Sequence, residues 1–388
     1  MQHCKHTCST ELSAQVNVGN RLMDVRITSS EQELLTIFDG WRALHLRIGR
    51  SFFNDPAFFM AWWDIKGREG NRVLHVATGW NEGRLVALAP LVVARRYGLR
   101  ILEWGGANVF DYNDMLLEDH AGCEAMWHGI RASKGYDVGF IRGMEANSTC
   151  YGALRGIGRP LRKNTIYRIN LEGPCGAAWH AEALSPSKRK ALRRQERQIH
   201  AKGVFSFHVH GTGPAPPAII NALIRQKAAW SSHNQKQGLF DDPSSAAALL
   251  ESMAEVAAGL GTMHLSWICS GDEILAVHFG FIYQNILYYY MPSYHLDWAA
   301  YSPGKILLIK LIEWCVDHGL SAFDFMKGAD PYKASLANAS KELWDFTFAG
   351  TPGGWLAELG GRKLYRRRAA SNASLASEAN VARFEPVA

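Results

Sequence analysis

The chain lacks every short signature that would make it a serine hydrolase, a zinc protease, a nucleoside triphosphatase or a dinucleotide-dependent dehydrogenase. No G-x-S-x-G elbow, H-E-x-x-H, G-x-x-x-x-G-K-[ST] or G-x-G-x-x-G occurs. Gly304-Lys305 has no glycine at the upstream P-loop position. An unbroken apolar run of about eighteen residues is also missing, so no membrane-spanning helix is predicted. The start of the chain has no basic stretch leading into an apolar one, which argues against a signal peptide. The 7 cysteines are scattered, which argues against a disulfide framework and makes a reduced, cytoplasmic setting the expectation. Cys4, His6 and Cys8, with His3, have metal-like spacing but no second Cys/His pair nearby, so no metal is expected.

What is present is ordinary globular material in unusual order. At 388 residues, with 47% hydrophobic and 20% charged residues, two domains are the prior. Residues 1–20 are polar and patternless, and a disordered tail is expected there. Each half then reads as a strand, helices, three antiparallel strands, a helix and two further strands. No residue-level repeat accompanies that order. It predicts two α+β domains in tandem, 21–172 and 173–360, followed by a basic, partly disordered tail over 361–388.

The formal charge of +6 is unevenly placed. Six of ten residues in Lys188–Arg197 are basic, as are five of seven in Arg362–Arg368. At helical spacing Arg189, Arg193 and Arg197 share one face, with Lys190 and Arg194 beside it. Glu196 is the one acid among them, so an anionic partner is favoured over a merely solvated face.

The segment Tyr301-Ser302-Pro303-Gly304-Lys305 follows an aromatic, strand-like run, Ile286–Tyr294, and opens an apolar helical pattern. Pro303 suits a first helical turn and Ser302 an N-cap. Gly304 permits close approach to the backbone, and a helix start of this kind suits a pyrophosphate.

An ordered set of short motifs then carries a resemblance. It comprises Lys188–Arg194, Trp230, Gly271-Asp272, Ile274–Ala276, Tyr301–Gly304, Gly319, Phe323-Asp324-Phe325, Gly328 and Tyr332-Lys333. Together they resemble the bacterial GNAT-like N-acyltransferases of the CelD type, associated with cellulose biosynthesis and related to the FemABX peptidyltransferases. The likeness covers 165–350 well and 21–165 in outline. It implies tandem GNAT-like domains, each a mixed, mainly antiparallel sheet flanked by helices. It further implies acyl-CoA (acetyl-CoA) as co-substrate, no tightly bound cofactor, and an amine acceptor such as an amino sugar, amino acid or polysaccharide-linked amine.

By the same resemblance, Tyr290, Ser302, Pro303, Gly304 and Lys305 would hold the CoA thioester, although only the first glycine of the GNAT pyrophosphate loop is matched. Asp324 would deprotonate or orient the amine, or else pair structurally, for instance with Lys327. Lys333 would stabilise an oxyanion or hold a phosphate, or be a surface lysine. Tyr332, Tyr290 and Tyr294 are alternative proton donors to the leaving thiolate. Arg189, Arg193, Arg194, Trp230 and Lys327 would contact substrate, and His278 reads as a sheet histidine more than a base. Two rival readings are an aminoacyl-tRNA-dependent peptidyltransferase and a non-catalytic scaffold of envelope polysaccharide assembly.

Overall fold

The computed structural model describes residues 13–361 apart from 19–20, 149, 173–178, 180–183, 236–237 and 329. The expected Cys4–Cys8 tail, a helix expected over 177–184 and the basic run after 361 lie outside the described residues. Prolines set the start of several helices. Pro56, Pro186, Pro217, Pro243, Pro303 and Pro331 each occupy a first turn, where the missing N–H removes no helical bond. Asp55, Ser185 and Asp242 cap three of these helices by accepting from backbone N–H groups. The helix expected over Glu31–Ile48 is interrupted at Ile37, giving Glu31–Thr36 and Phe38–Ile48.

The N-terminal half supplies strands β1 (Ser13–Val18), β2 (Arg21–Thr28), β3 (Arg72–Leu74), β4 (Val76–Asn81) and β5 (Arg84–Ala89). It continues with β6 (Leu91–Arg96), β7 (Leu99–Trp104), β8 (Leu116–Leu117), β9 (Val138–Glu145) and β10 (Arg159–Asn170). The C-terminal half supplies β11 (Phe205–Val209), β12 (Met263–Ser270), β13 (Glu273–Tyr283), β14 (Ile286–Tyr294), β15 (Ala322–Asp324) and β16 (Ala339–Ala349). Strand β1 falls within the stretch whose composition suggested a disordered tail, and it pairs antiparallel with β2. Backbone pairing there overrides a weak side-chain pattern.

Two sheets result. A five-stranded one has the order β1-β2-β4-β5-β8, and an eleven-stranded one runs β11-β12-β13-β14-β15-β10-β16-β9-β7-β6-β3. In the second sheet β10 lies between β15 and β16, and β16 in turn pairs with β9. Each half thus lends a strand to the other, and the halves cannot part without breaking ladder hydrogen bonds.

A core between the halves reinforces this. Phe52 stacks on Phe281 with centroids 4.1 Å apart, and Phe53 meets Phe281 edge-on at 5.6 Å. These rings pack with Tyr288, Leu223 and Met253 in one cluster. Burying a side chain of this size contributes roughly 1.5–3 kcal/mol, so the rings alone hold the halves firmly. Separate cores lie under the helix Gly122–Ala132 and under the helix Pro303–Asp317.

Candidate active site

Strand β14 pairs in parallel with β15 only over Ile286–Tyr288 against Ala322–Asp324. Past Tyr288 it runs on to Tyr294 with no strand partner on that side among the described residues, so the two strands open into a wedge. A bulge marks the same point. Between two paired positions β13 advances from Phe279 to Phe281, whereas β14 spans Tyr288 to Met291, one residue more. Gly280 makes room for it, because a Cβ there would overlap the Tyr288 carbonyl. Bulges re-aim backbone groups beside ligand sites.

The far end of β14 leads through a short 3-10 segment into the helix Pro303–Asp317. Ser302 does not cap that helix with its side chain, contrary to the sequence expectation. It sits in the left-handed region at φ 52°, and its hydroxyl accepts from Gln195 Nε2 at 3.0 Å. The Lys305 and Ile306 N–H groups turn back to the Ser302 carbonyl, while Gly304 N–H finds no acceptor among the described residues. Gly304 is half-buried beside Tyr294, and Pro303 is buried. Lys305 is exposed, yet desolvation of its ammonium by the atoms packed around it, and Lys188 nearby, lower its pKa from the usual lysine value. A helix N-terminus, an unmatched N–H and two lysines therefore converge on one spot, which favours an anion.

The basic helix Pro186–His200 borders this spot. A groove of about 980 Å³ runs along it, lined by Arg189, Lys190, Arg193, Glu196, Arg197 and Phe205. Arg194 is exposed on the same helix. Glu196 turns toward Lys310, 3.4 Å away, so it does not neutralise its own helix.

Asp324 stands at the apex of the wedge and has no exposed surface. Its Oδ1 accepts from Tyr112 O–H at 2.6 Å and from Met326 N–H at 2.8 Å. Its Oδ2 lies 3.0 Å from Lys341 Nζ, which also donates to Glu145 at 2.9 Å. The expected pairing of Asp324 with Lys327 is not formed. Lys327 instead donates its N–H to Asp111 Oδ2 at 2.9 Å and holds its ammonium 4.0 Å from the same carboxylate. Asp324 thus joins β15 directly to the Tyr112 loop of the other half, and through Lys341 to Glu145 on β9.

Lys333 is buried. Its ammonium donates to the carbonyls of Phe325 at 3.1 Å and Lys327 at 2.8 Å, with Asp330 3.7 Å away. These bonds pin the turn that follows β15, and Gly328, at φ 123°, leaves room for the ammonium. Burial lowers the pKa of both Lys333 and Lys327. Tyr332 is 38% exposed, edge-on to Phe325, with its hydroxyl pushed up by desolvation and so kept protonated. Tyr290 donates to the Val109 carbonyl at 3.1 Å. His278 is fully buried against Tyr289, held neutral by desolvation, and neither ring nitrogen has a hydrogen-bond partner among the described residues. Trp230 lies under Lys227 at 5.4 Å, and burial lowers the Lys227 pKa to about 8.

Sequence reasoning missed the loop Asp111-Tyr112-Asn113-Asp114 altogether. It carries Asp111 to Lys327 and Tyr112 to Asp324, across more than 200 positions of chain. Desolvation raises the pKa of Asp111, and that of Asp114 to about 6. Asp111 keeps 22% of its side chain exposed and so remains reachable. The one available signal was a polar run between two strands and a helix.

A mixed, mainly antiparallel sheet whose one parallel pair near the centre, β14 and β15, parts beside a glycine-bearing helix start fits the GNAT type of acyltransferase fold, here α+β and in tandem, with helices flanking the large mixed sheet and the smaller, wholly antiparallel one. Residues 186–334 match the family model described as "Acetyltransferase (GNAT) domain". Among solved structures, a conserved protein of unknown function from Bacteroides thetaiotaomicron is similar with a TM-score of 0.51 at 12% identity, over 83% of this chain and 99% of that one. FemX is similar with a TM-score of 0.50 at 9% identity, over 74% and 90%. A tandem GNAT protein from the clavulanic acid biosynthesis pathway reaches 0.46 at 11% identity, over 85% and 99%. At such identities the likeness is one of fold. No curated protein matches the chain. No helix among the described residues is long and apolar enough to cross a membrane.

Proposed function

We propose that this protein is an N-acyltransferase that moves an acyl group from acyl-CoA to an amine acceptor. The observation that carries the reading is the wedge between β14 and β15, which opens just upstream of the Gly304 helix start. The diphosphate would sit at Gly304 N–H and Lys305, and the pantetheine arm along the unpaired edge of Tyr289–Tyr294. Backbone N–H groups at the bulge would meet the thioester carbonyl as it becomes an oxyanion. Preorganised donors of this kind contribute about 3–4 kcal/mol each to the transition state.

The amine nitrogen attacks the thioester carbon, the C–S bond breaks, and CoA leaves as thiolate. Asp111, whose side chain is 22% exposed, would take the proton from nitrogen, and Tyr332 would return one to sulfur. Asp324 and Lys333 act as positioning residues: one holds the apex of the wedge, the other the turn beyond it. Lys227, Trp230 and Lys327 would face the acceptor, which we place among amino sugars, amino acids and polysaccharide-linked amines.

The test is thermal stabilisation by CoA and acetyl-CoA. Ligand at about 100 Kd adds about 2.7 kcal/mol to the folded state, a visible shift. Gly304→Asp supplies the control, because an acid in the first turn favours the helix while repelling a diphosphate. The variant is expected to keep the melting temperature of the free protein and to lose the CoA shift. Absence of any shift in the wild type, together with no acetyl transfer to any amine, would sink the proposal.

The basic groove along Pro186–His200 favours a second reading, in which an aminoacyl-tRNA is the donor. Mobility of charged tRNA at low and high salt separates the two, since phosphate contacts give a steep salt slope.

A further inference from the structure

The end of the large sheet at the start of β7 and β9 carries a surface that the acyl-transfer reading does not use. Residues 352–361 form a helix that is inverted for a globular surface. Its carboxylate, Glu358, points inward and accepts from Thr347 Oγ1 at 2.9 Å. Its apolar residues point outward: Trp355 is 48% exposed, Leu356 66% and Leu359 36%. Gly354 lets this helix press on the sheet end, where a Cβ would overlap the Asp137 carbonyl.

The same end bears the β6–β7 turn, with Tyr97 96% exposed at its tip. Register ties the two features together. Arg100, in the first turn-side pairs of β7, binds Asp137 at 2.8 Å, and Asp137 accepts backbone N–H groups from Gly350 and Thr351 at the foot of the helix. Exposed cations lie at the same sheet end. Arg95 is the next-to-last residue of β6, two before Tyr97, and Arg131 and Lys134 lie where the helix Gly122–Ala132 leads into β9. Of the acids at this end, Asp137 is engaged by Arg100, and exposed Glu69 lies two residues before Asn71, whose carbonyl accepts from Arg95 N–H. In sequence the inverted helix runs directly into Arg362–Arg368, with five basic residues of seven.

We propose that this face docks on an anionic lipid surface. Trp and Tyr prefer the boundary between headgroup and hydrocarbon, and exposed leucines gain only where apolar matter receives them. Cations ringing such residues are attracted to anionic headgroups, and two signals of modest strength together suffice for peripheral binding. A nucleic acid would match the charge, but it would leave Leu356 and Leu359 in water. A lipid surface matches both charge and apolar exposure.

Flotation of the purified full chain with vesicles of phosphatidylcholine, with and without phosphatidylglycerol, tests this. Binding is expected only to the anionic vesicles, weakening as salt rises. Trp355→Glu with Leu356→Glu should lower binding about tenfold at low salt without shifting the melting temperature, since both side chains are exposed. Arg95→Gln, Arg131→Gln and Lys134→Gln together should lower it by a similar factor. The proposal is overturned if the chain does not float with anionic vesicles, or if the Trp355/Leu356 variant floats like wild type. It is equally overturned if that variant fails to float less but halves the mass in light scattering, which would mark a face for a second copy, or if RNA binds this face in preference to the vesicles. Acyl transfer does not enter any of these readouts, so their failure leaves the CoA proposal standing, and the reverse.

Discussion

Lys341→Met tests whether Asp324 is a buried structural joint, paired with Lys341 of its own half and bonded by Tyr112 of the other. The Lys341 ammonium lies 3.0 Å from Asp324 Oδ2, 2.9 Å from Glu145 Oε1 and 4.0 Å from the centre of the Tyr112 ring. Methionine keeps most of the aliphatic stem and removes the charge. Asp324, with no exposed surface, then keeps only the Tyr112 O–H and the Met326 N–H as donors. Removing one partner of a buried ion pair costs about 3–5 kcal/mol, against about 0–1 kcal/mol for an exposed pair. Because the Lys341 side chain is 24% exposed, the low end, about 3 kcal/mol, is expected. At about 2–4 °C per kcal/mol that lowers the melting temperature by roughly 6–12 °C. Urea and thermal unfolding of Lys341→Met, Asp324→Asn and the double variant give the cycle. In the double variant no unpaired charge remains at position 324, and Glu145, unpaired in both Lys341 variants, cancels from the cycle, so the loss should fall short of the sum by about 1–3 kcal/mol. A single-variant loss under about 1 kcal/mol, or strict additivity, refutes the joint and returns Asp324 to the candidates for a catalytic role.

Two further outcomes concern titrating groups. Lys227, lowered to about 8, sits below the ordinary lysine value, so between those two values the unfolded chain binds more protons than the folded one and stability rises with pH. Lys227→Met should therefore be more stable than wild type near pH 7, by on the order of 1–3 kcal/mol, with the gap closing as pH climbs from about 8 to 10; a variant that is less stable, or a gap that ignores pH, contradicts this. Asp111→Asn keeps an oxygen for the Lys327 N–H but cannot take a proton. Acetyl transfer should fall about 10²–10⁴-fold and lose its acidic limb, which in wild type lies above the ordinary aspartate range; a change within about threefold excludes Asp111 as the base.

Much of the local architecture was legible in the chain. The prolines at positions 186, 217, 243 and 303 mark helix starts because their ring fixes φ and their missing N–H costs nothing there. The turn Glu82-Gly83 and the turn Gln284-Asn285 join paired strands as expected, because these residues adopt positive φ. The order of motifs from Lys188 to Lys333 was enough to point to the GNAT type. Ser302 was misread, because a side-chain cap depends on what else competes for the hydroxyl, and Gln195 on another helix does so.

Local conformation follows from neighbours along the chain, and that much the order of residues decides unaided: where helices start, which turns close, and that strands and helices alternate twice. Which carboxylate is buried and which is reachable was decided by the assembled fold. Asp324 looked like the free acid on a strand, yet the insertion of β10 beside β15 and the arrival of Tyr112 and Lys341 enclose it. Asp111 gave no signal, and it meets Lys327 only because its loop reaches from one half to the other. Solvent access and charge pairing belong to the packed arrangement of distant segments, and no periodicity within a short window encodes them.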